Sequence, residues 1–92
     1  MSGYTMVKRA AIGYGWTERA ELRGNETWII LTRNDDRVEI QLDTSPAGPL
    51  DRRPKNSVLR ADIYQGESKI GLVTGSGKVD QLREYLRDGI LP

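Results

Sequence analysis

The sequence predicts an α+β fold: an antiparallel sheet of about five to six strands with one C-terminal amphipathic helix packed on one face. Three observations lead there. Residues 17–43 alternate apolar and polar side chains between short polar turns, the period of half-buried strands. Turns this short cannot make the crossover that a parallel pair needs, so the strands run antiparallel. Residues 78–88 place Val79, Leu82, Tyr85 and Leu86 at spacings of three and four, the apolar stripe of a helix. A length of 92 residues fits one domain, 1–92, and not two.

Taken in order, residues 4–14 read as a first strand of imperfect alternation, interrupted by Gly13-Tyr14-Gly15-Trp16, where two glycines around an aromatic suggest a bend or bulge. Residues 17–23 form the second strand, with Ala20 and Leu22 on one face and Arg19, Glu21 and Arg23 on the other. Gly24-Asn25-Glu26 turns the chain. Thr27 to Arg33 contains Trp28-Ile29-Ile30-Leu31, which has no polar face and so belongs at the centre, covered on both sides. Asn34-Asp35-Asp36 is a hairpin loop, its acids balanced by Arg33 and Arg37. Arg37 to Asp43 then turns Val38, Ile40 and Leu42 inward.

Residues 44–57 break the pattern with Pro46, Pro49, Pro54 and Gly48, and a loop this long in so small a domain is commonly functional or disordered. Val58 to Gln65 resumes as a strand with Leu59, Ala61 and Ile63 on one face. Gln65-Gly66-Glu67-Ser68 is a turn, and Lys69 to Thr74 pairs back with Ile70 and Leu72 inward. Ser76 is placed to cap the helix and Gly89 to close it in a left-handed turn.

Composition excludes much chemistry. The chain has no Cys and no His, which removes the thiolate nucleophile, the disulfide, the usual neutral-pH general base and the commonest metal ligand. No cofactor and no metal are expected, and no enzyme. No apolar stretch approaches the ~18 residues of a membrane span, and Met1-Ser2-Gly3-Tyr4 does not open a signal peptide. The expected setting is the cytoplasm, the host's if the chain is phage-encoded. No membrane or small-molecule substrate is expected.

Three constellations have ordinary explanations. Thr74-Gly75-Ser76-Gly77-Lys78 suggests a phosphate loop, but Leu72 and Val79 stand where the motif needs Gly and Ser or Thr. Asp62 with Glu67-Ser68-Lys69 suggests a metal-dependent nuclease, yet Glu67 falls in a turn. Asp35-Asp36 has the polarity of a hairpin tip.

Charge distribution is more telling. Lys and Arg number 14 against 13 Asp and Glu, a net of +1. Residues 1–42 and 58–92 are each balanced, so the excess lies in 43–57, where Arg52, Arg53 and Lys55 outnumber Asp43 and Asp51. Pro49 and Pro54 bracket that triplet and limit its entropy loss on docking, which suits a phosphate or an acidic protein surface. Lys8, Arg9, Tyr14 and Trp16, with Tyr4, mix cations and rings as surfaces for single-stranded nucleic acid do. Trp16 suits either the core edge or a binding anchor. Arg outnumbers Lys, ten to four; Arg favours interfaces, and a GC-rich gene also favours it.

In size, composition and a sheet with one helix, the chain resembles the small anti-CRISPR inhibitors encoded by phages and mobile elements. No diagnostic motif is matched at any position, so no family residue is carried over. The resemblance implies steric block of a larger assembly, a CRISPR–Cas effector with its guide RNA, through Arg52, Arg53, Lys55, Lys8, Arg9, Tyr14 and Trp16. Two alternatives stand beside it: a small β-rich domain binding RNA or single-stranded DNA, and another phage or bacterial protein-interaction module.

Overall fold

The structure, a computed structural model, describes residues 3–43 and 57–89. The element order is α1 (Gly3–Gly13), β1 (Thr17–Arg23), β2 (Glu26–Arg33), β3 (Asp36–Asp43), β4 (Ser57–Gln65), β5 (Ser68–Val73) and α2 (Lys78–Asp88). The five strands form one antiparallel meander in the order β1-β2-β3-β4-β5. The α+β class, the antiparallel sheet and the C-terminal helix are as the sequence predicts.

The first element differs. The stretch expected to be a strand is the helix Gly3–Gly13, so the described residues form five strands and two helices. Tyr4, Val7 and Ala11 fall three and four apart, and Val7 and Ala11 are fully buried in the core. That spacing gives one packed face to a helix and none to a strand. Gly13-Tyr14-Gly15-Trp16 is therefore a helix stop. Gly15 takes φ 87°, the Trp16 N–H donates to the Ala11 carbonyl at 2.9 Å, and the Gly15 N–H donates to Ile12 at 3.3 Å. These two bonds and the left-handed glycine make a Schellman ending, with Trp16 folding back onto the apolar core beside Ala11.

Ile29 and Leu31 of β2 stand opposite Ile40 and Val38 of β3, and Ala61 and Ile63 of β4 continue the row. Val7, Ala11, Leu82, Tyr85 and Leu86 from the two helices close over this face. Trp28 and Ile30 point to the other face and are also buried, so the Trp28–Leu31 run is covered on both sides as expected. On that second face Arg23 and Arg60 lie over the Trp28 ring.

Two register shifts correct the expected strand faces. One lies between Gln41 and Leu42; Val58 joins Ala61 and Ile63 in the core while Leu59 is exposed. The other lies between Ile63 and Tyr64; Val73 is buried, and Ile70 and Leu72 are exposed. An extra residue in one strand reverses the facing of those beyond it. Leu22, on the same face as Ala20, lies beyond the helices and is exposed.

α2 starts after Gly77, whose φ is 83°, and has no side-chain cap, so Ser76 does not take the role expected of it. Its end is as predicted: Gly89, at φ 70°, donates to the Tyr85 carbonyl at 2.7 Å. α1 and α2 lie side by side and parallel. A Cβ on Gly3 would come within 2.9 Å of Val79, and at the other end Tyr14 and Leu86 share one cation.

That cation is Arg33. Its Nη1 donates to the Tyr14 carbonyl at 3.0 Å and to the Leu86 carbonyl at 3.2 Å. The guanidinium lies over the Trp16 ring, 4.6 Å from its centroid, and the Trp16 indole N–H donates to Leu86 at 3.0 Å. Arg33 thus serves two helix C-termini, where partial negative charge collects, and not the hairpin acids. No helix among the described residues is long and apolar enough to cross a membrane.

Candidate functional site

The helix-free face of the sheet carries the most organised chemistry. Strand register places four rows across it. Glu21, Trp28, Gln41 and Arg60 form one row; Arg19, Ile30, Glu39, Asp62 and Leu72 form the next; Arg37, Tyr64 and Lys69 lie in a third. Arg23 and Glu26, paired across β1 and β2, begin the fourth.

Glu39 and Asp62 are direct cross-strand neighbours at the sheet's centre, and both are buried. Two carboxylates so placed repel, and each is matched by two cations. Glu39 accepts from Arg23 Nη2 at 2.8 Å and lies 2.9 Å from Arg37 Nε. Asp62 accepts from Arg60 at 2.8 and 3.1 Å and meets Lys69 Nζ at 3.0 Å. Burial pushes the Asp62 carboxyl upward, but the bonds from Arg60 and Lys69 outweigh it and hold the group below its ordinary value. Arg23 also bonds Glu21 at 2.6 Å.

The guanidiniums are fixed from below as well. Arg23 lies over the Trp28 ring at 4.6 Å, with Arg60 at 5.9 Å, and Arg37 lies over Tyr64 at 4.4 Å. Planar guanidinium stacks on aromatic rings where an ammonium would not. The Trp28 indole N–H is taken by Glu26.

The result is stratified by sign. The side chains of Glu39 and Asp62 are 10% and 8% exposed. Those of Arg19, Arg23, Arg37, Arg60 and Lys69 range from 37% to 63%. At the centre of the face negative charge lies beneath and positive charge faces outward, while toward the β1–β2 turn Glu21, at 32%, and Glu26 are accessible as well.

A second feature is an open groove of about 770 Å³ between α1 and α2, with Arg9 and Tyr14 on one wall and Asp80, Arg83, Glu84 and Arg87 on the other. The structure thus brings together Arg9 and Tyr14 of the predicted site. Lys8 turns away, 3.5 Å from Glu18, whose carboxylate also accepts from the Tyr4 hydroxyl. Trp16 is a correction: it is buried and bonded to Leu86, because the Schellman turn folds it inward. Arg52, Arg53 and Lys55 lie outside the described residues.

The Arg23–Arg60 face has a signal in the sequence that charge totals by segment do not show. Glu21-x-Arg23, Arg37-x-Glu39 and Arg60-x-Asp62 each put opposite charges two residues apart, hence on one face of a strand. The Asp62 and Lys69 pair considered for nuclease chemistry is a closed ion pair shared with Arg60. Comparisons with protein-family models, curated proteins and solved structures found no match.

Proposed function

We propose that the chain is a non-enzymatic binding protein whose open sheet face docks on an acidic surface of a larger protein or nucleoprotein. It acts by occupancy, in the manner of small anti-CRISPR-type inhibitors. The single observation that carries this is the layer of guanidiniums held outward over Glu39 and Asp62. Arg, Trp and Tyr are the residues that most often anchor protein interfaces. Here the arginines are already immobilised by carboxylates and rings, so docking costs little side-chain entropy.

Two observations favour a protein over RNA or single-stranded DNA. Guanidiniums already lie over the rings of Trp28 and Tyr64, where stacked bases would lie. The net charge of +1 is small for a domain that binds by releasing counterions. The reading places the protein in the cytoplasm, where such assemblies are found.

The test uses the two indole N–H resonances. Titration with a poly-glutamate peptide is expected to shift the Trp28 signal and leave buried Trp16 unmoved. Poly-uridylate at equal charge is expected to shift neither. Arg19→Glu, at a position 63% exposed, should weaken the peptide effect without changing the melting curve. A Trp28 response to the RNA alone would reverse the assignment.

A further inference from the structure

We infer that the groove between α1 and α2 binds a nucleoside monophosphate: one compact anion, a sugar with hydroxyl donors and a flat ring. The groove lies on the outer side of the helix layer, across the molecule from the arginine face. Its volume of about 770 Å³ falls within the range of about 300–1,000 Å³ that small-molecule sites occupy. Gly13, on its α1 wall, points to an occupant. It lies within α1 and is not one of the left-handed glycines, and a Cβ built on it would meet nothing within 4 Å. Neither conformation nor packing inside the chain calls for glycine there, and glycine weakens a helix relative to alanine. What it provides is close access to the backbone for a group from outside the chain.

The lining chemistry selects the ligand. Three guanidiniums, Arg9, Arg83 and Arg87, face two carboxylates, Asp80 and Glu84. Arg83 reaches Asp80 at 3.8 Å, beyond hydrogen-bond length, and Arg87 is held at the rim by Asp88, an acid outside the groove, at 2.8 and 3.0 Å. The helices run in step, with Gly3 beside Val79 and the Tyr14 and Leu86 carbonyls on one cation. That step brings Arg9 level with Arg83 in mid-groove, where guanidiniums from both walls suit a phosphate. Both helix C-termini lie at the Tyr14 end and carry partial negative charge, so the anion is favoured at mid-groove and an uncharged ring at Tyr14, which is 44% exposed. Asp80 and Glu84 accept from sugar hydroxyls. The same two acids repel a run of carboxylates, so an acidic peptide suits the sheet face and not the groove.

Titration of the full chain with adenosine monophosphate, followed by NMR at the Tyr14 amide and the Trp28 indole, tests this. The nucleotide is expected to shift Tyr14 with a Kd at or below about 1 mM and to leave Trp28, on the sheet face, unmoved. Adenosine alone and inorganic phosphate alone should each bind at least about tenfold more weakly. Gly13→Leu, which fills the open space on the α1 wall, should weaken nucleotide binding at least about tenfold with the chain still folded. Arg83→Gln should do the same, and it decides the matter should Gly13→Leu lose its folded circular-dichroism spectrum. No shift at Tyr14 up to about 10 mM nucleotide overturns the inference. So does inorganic phosphate binding as tightly as the nucleotide, which would mean an adventitious ion only. A Trp28 shift that tracks Tyr14, an equal Tyr14 response to poly-glutamate, or a folded variant that binds as the wild type does would overturn it as well.

Discussion

Replacing Arg33 by Met tests how the helices are held to the sheet. The substitution keeps the aliphatic stem and removes the guanidinium. Lost with it are two hydrogen bonds, to Tyr14 and Leu86. Bonds from a charged donor are worth about 1.5–3 kcal/mol each when buried; the Tyr14 bond is exposed, so the pair is worth about 2–3. The two parallel helices both end at this cation, and each C-terminus adds about 0.3 kcal/mol or more. The contact over the Trp16 ring at 4.6 Å adds about 0.5. Shared losses overlap, so the expected cost is about 2–4 kcal/mol. For a domain of this size about 4–8 °C of melting temperature accompanies each kcal/mol, so the midpoint should fall by at least about 8 °C. Urea unfolding followed by circular dichroism gives the free energy directly, with an unchanged slope if only the clamp is lost. Arg33→Lys should recover part of the loss, since charge survives but the planar fork does not. A cost below about 0.5 kcal/mol, the range of an ordinary surface change, would refute the clamp.

Three further outcomes follow from the same structure. Leu82→Ala should cost about 2–5 kcal/mol in urea unfolding, because the side chain is fully buried between α2 and the sheet. Gly15→Ala should lower stability by about 1–2 kcal/mol, since φ of 87° lies where a Cβ is strained although nothing crowds it; a neutral result would mean that α1 ends differently. Asp62 titrates below its ordinary value of 3.8 when folded, so its ion pairs stabilise the fold above that pH. That contribution is lost as pH falls through the lower, folded value. Asp62→Asn should therefore flatten the acid limb of a stability–pH curve, and an unchanged acid limb would contradict the pairing with Arg60 and Lys69.

The strands from 17 to 43 were legible because short polar turns and a period of two leave few alternatives. Val38, Ile40 and Leu42 face the core as their alternation demands. What failed was local phase. One register shift near Leu42 and another near Ile63 exchange Leu59 for Val58 and Leu72 for Val73, and no residue at either place announces a bulge. α1 is hard to tell from a strand for a different reason. Its apolar residues are few and small, and Gly13-Tyr14-Gly15-Trp16 serves equally as a strand bend or a Schellman stop until Trp16 is known to fold inward. The candidate face was half legible: each strand shows its alternating charges, but the match between strands depends on register. Only the pairing Glu39 to Asp62 shows that two acids meet and therefore that four cations must gather.

That meeting bears on what the face is for. Two buried carboxylates side by side are a poor way to stabilise a sheet. Their desolvation is recovered only through hydrogen-bonded partners, and apolar residues of similar volume commonly do as well or better. A sheet face needing only cover could use the pattern seen on the helix side, where Ile29, Leu31, Ile40 and Ile63 pack without charge. The ionic arrangement instead yields something an apolar face cannot: three guanidiniums and one ammonium whose positions are set before any partner arrives. Arg23 and Arg37 grip one carboxylate from two sides, and Arg60 with Lys69 grips the other. An acidic partner would meet donors already aligned for bidentate contact. Under the proposed docking the gain lies in recognition, and the stability forgone at Glu39 and Asp62 is offset by the uncharged core on the opposite side of the same strands.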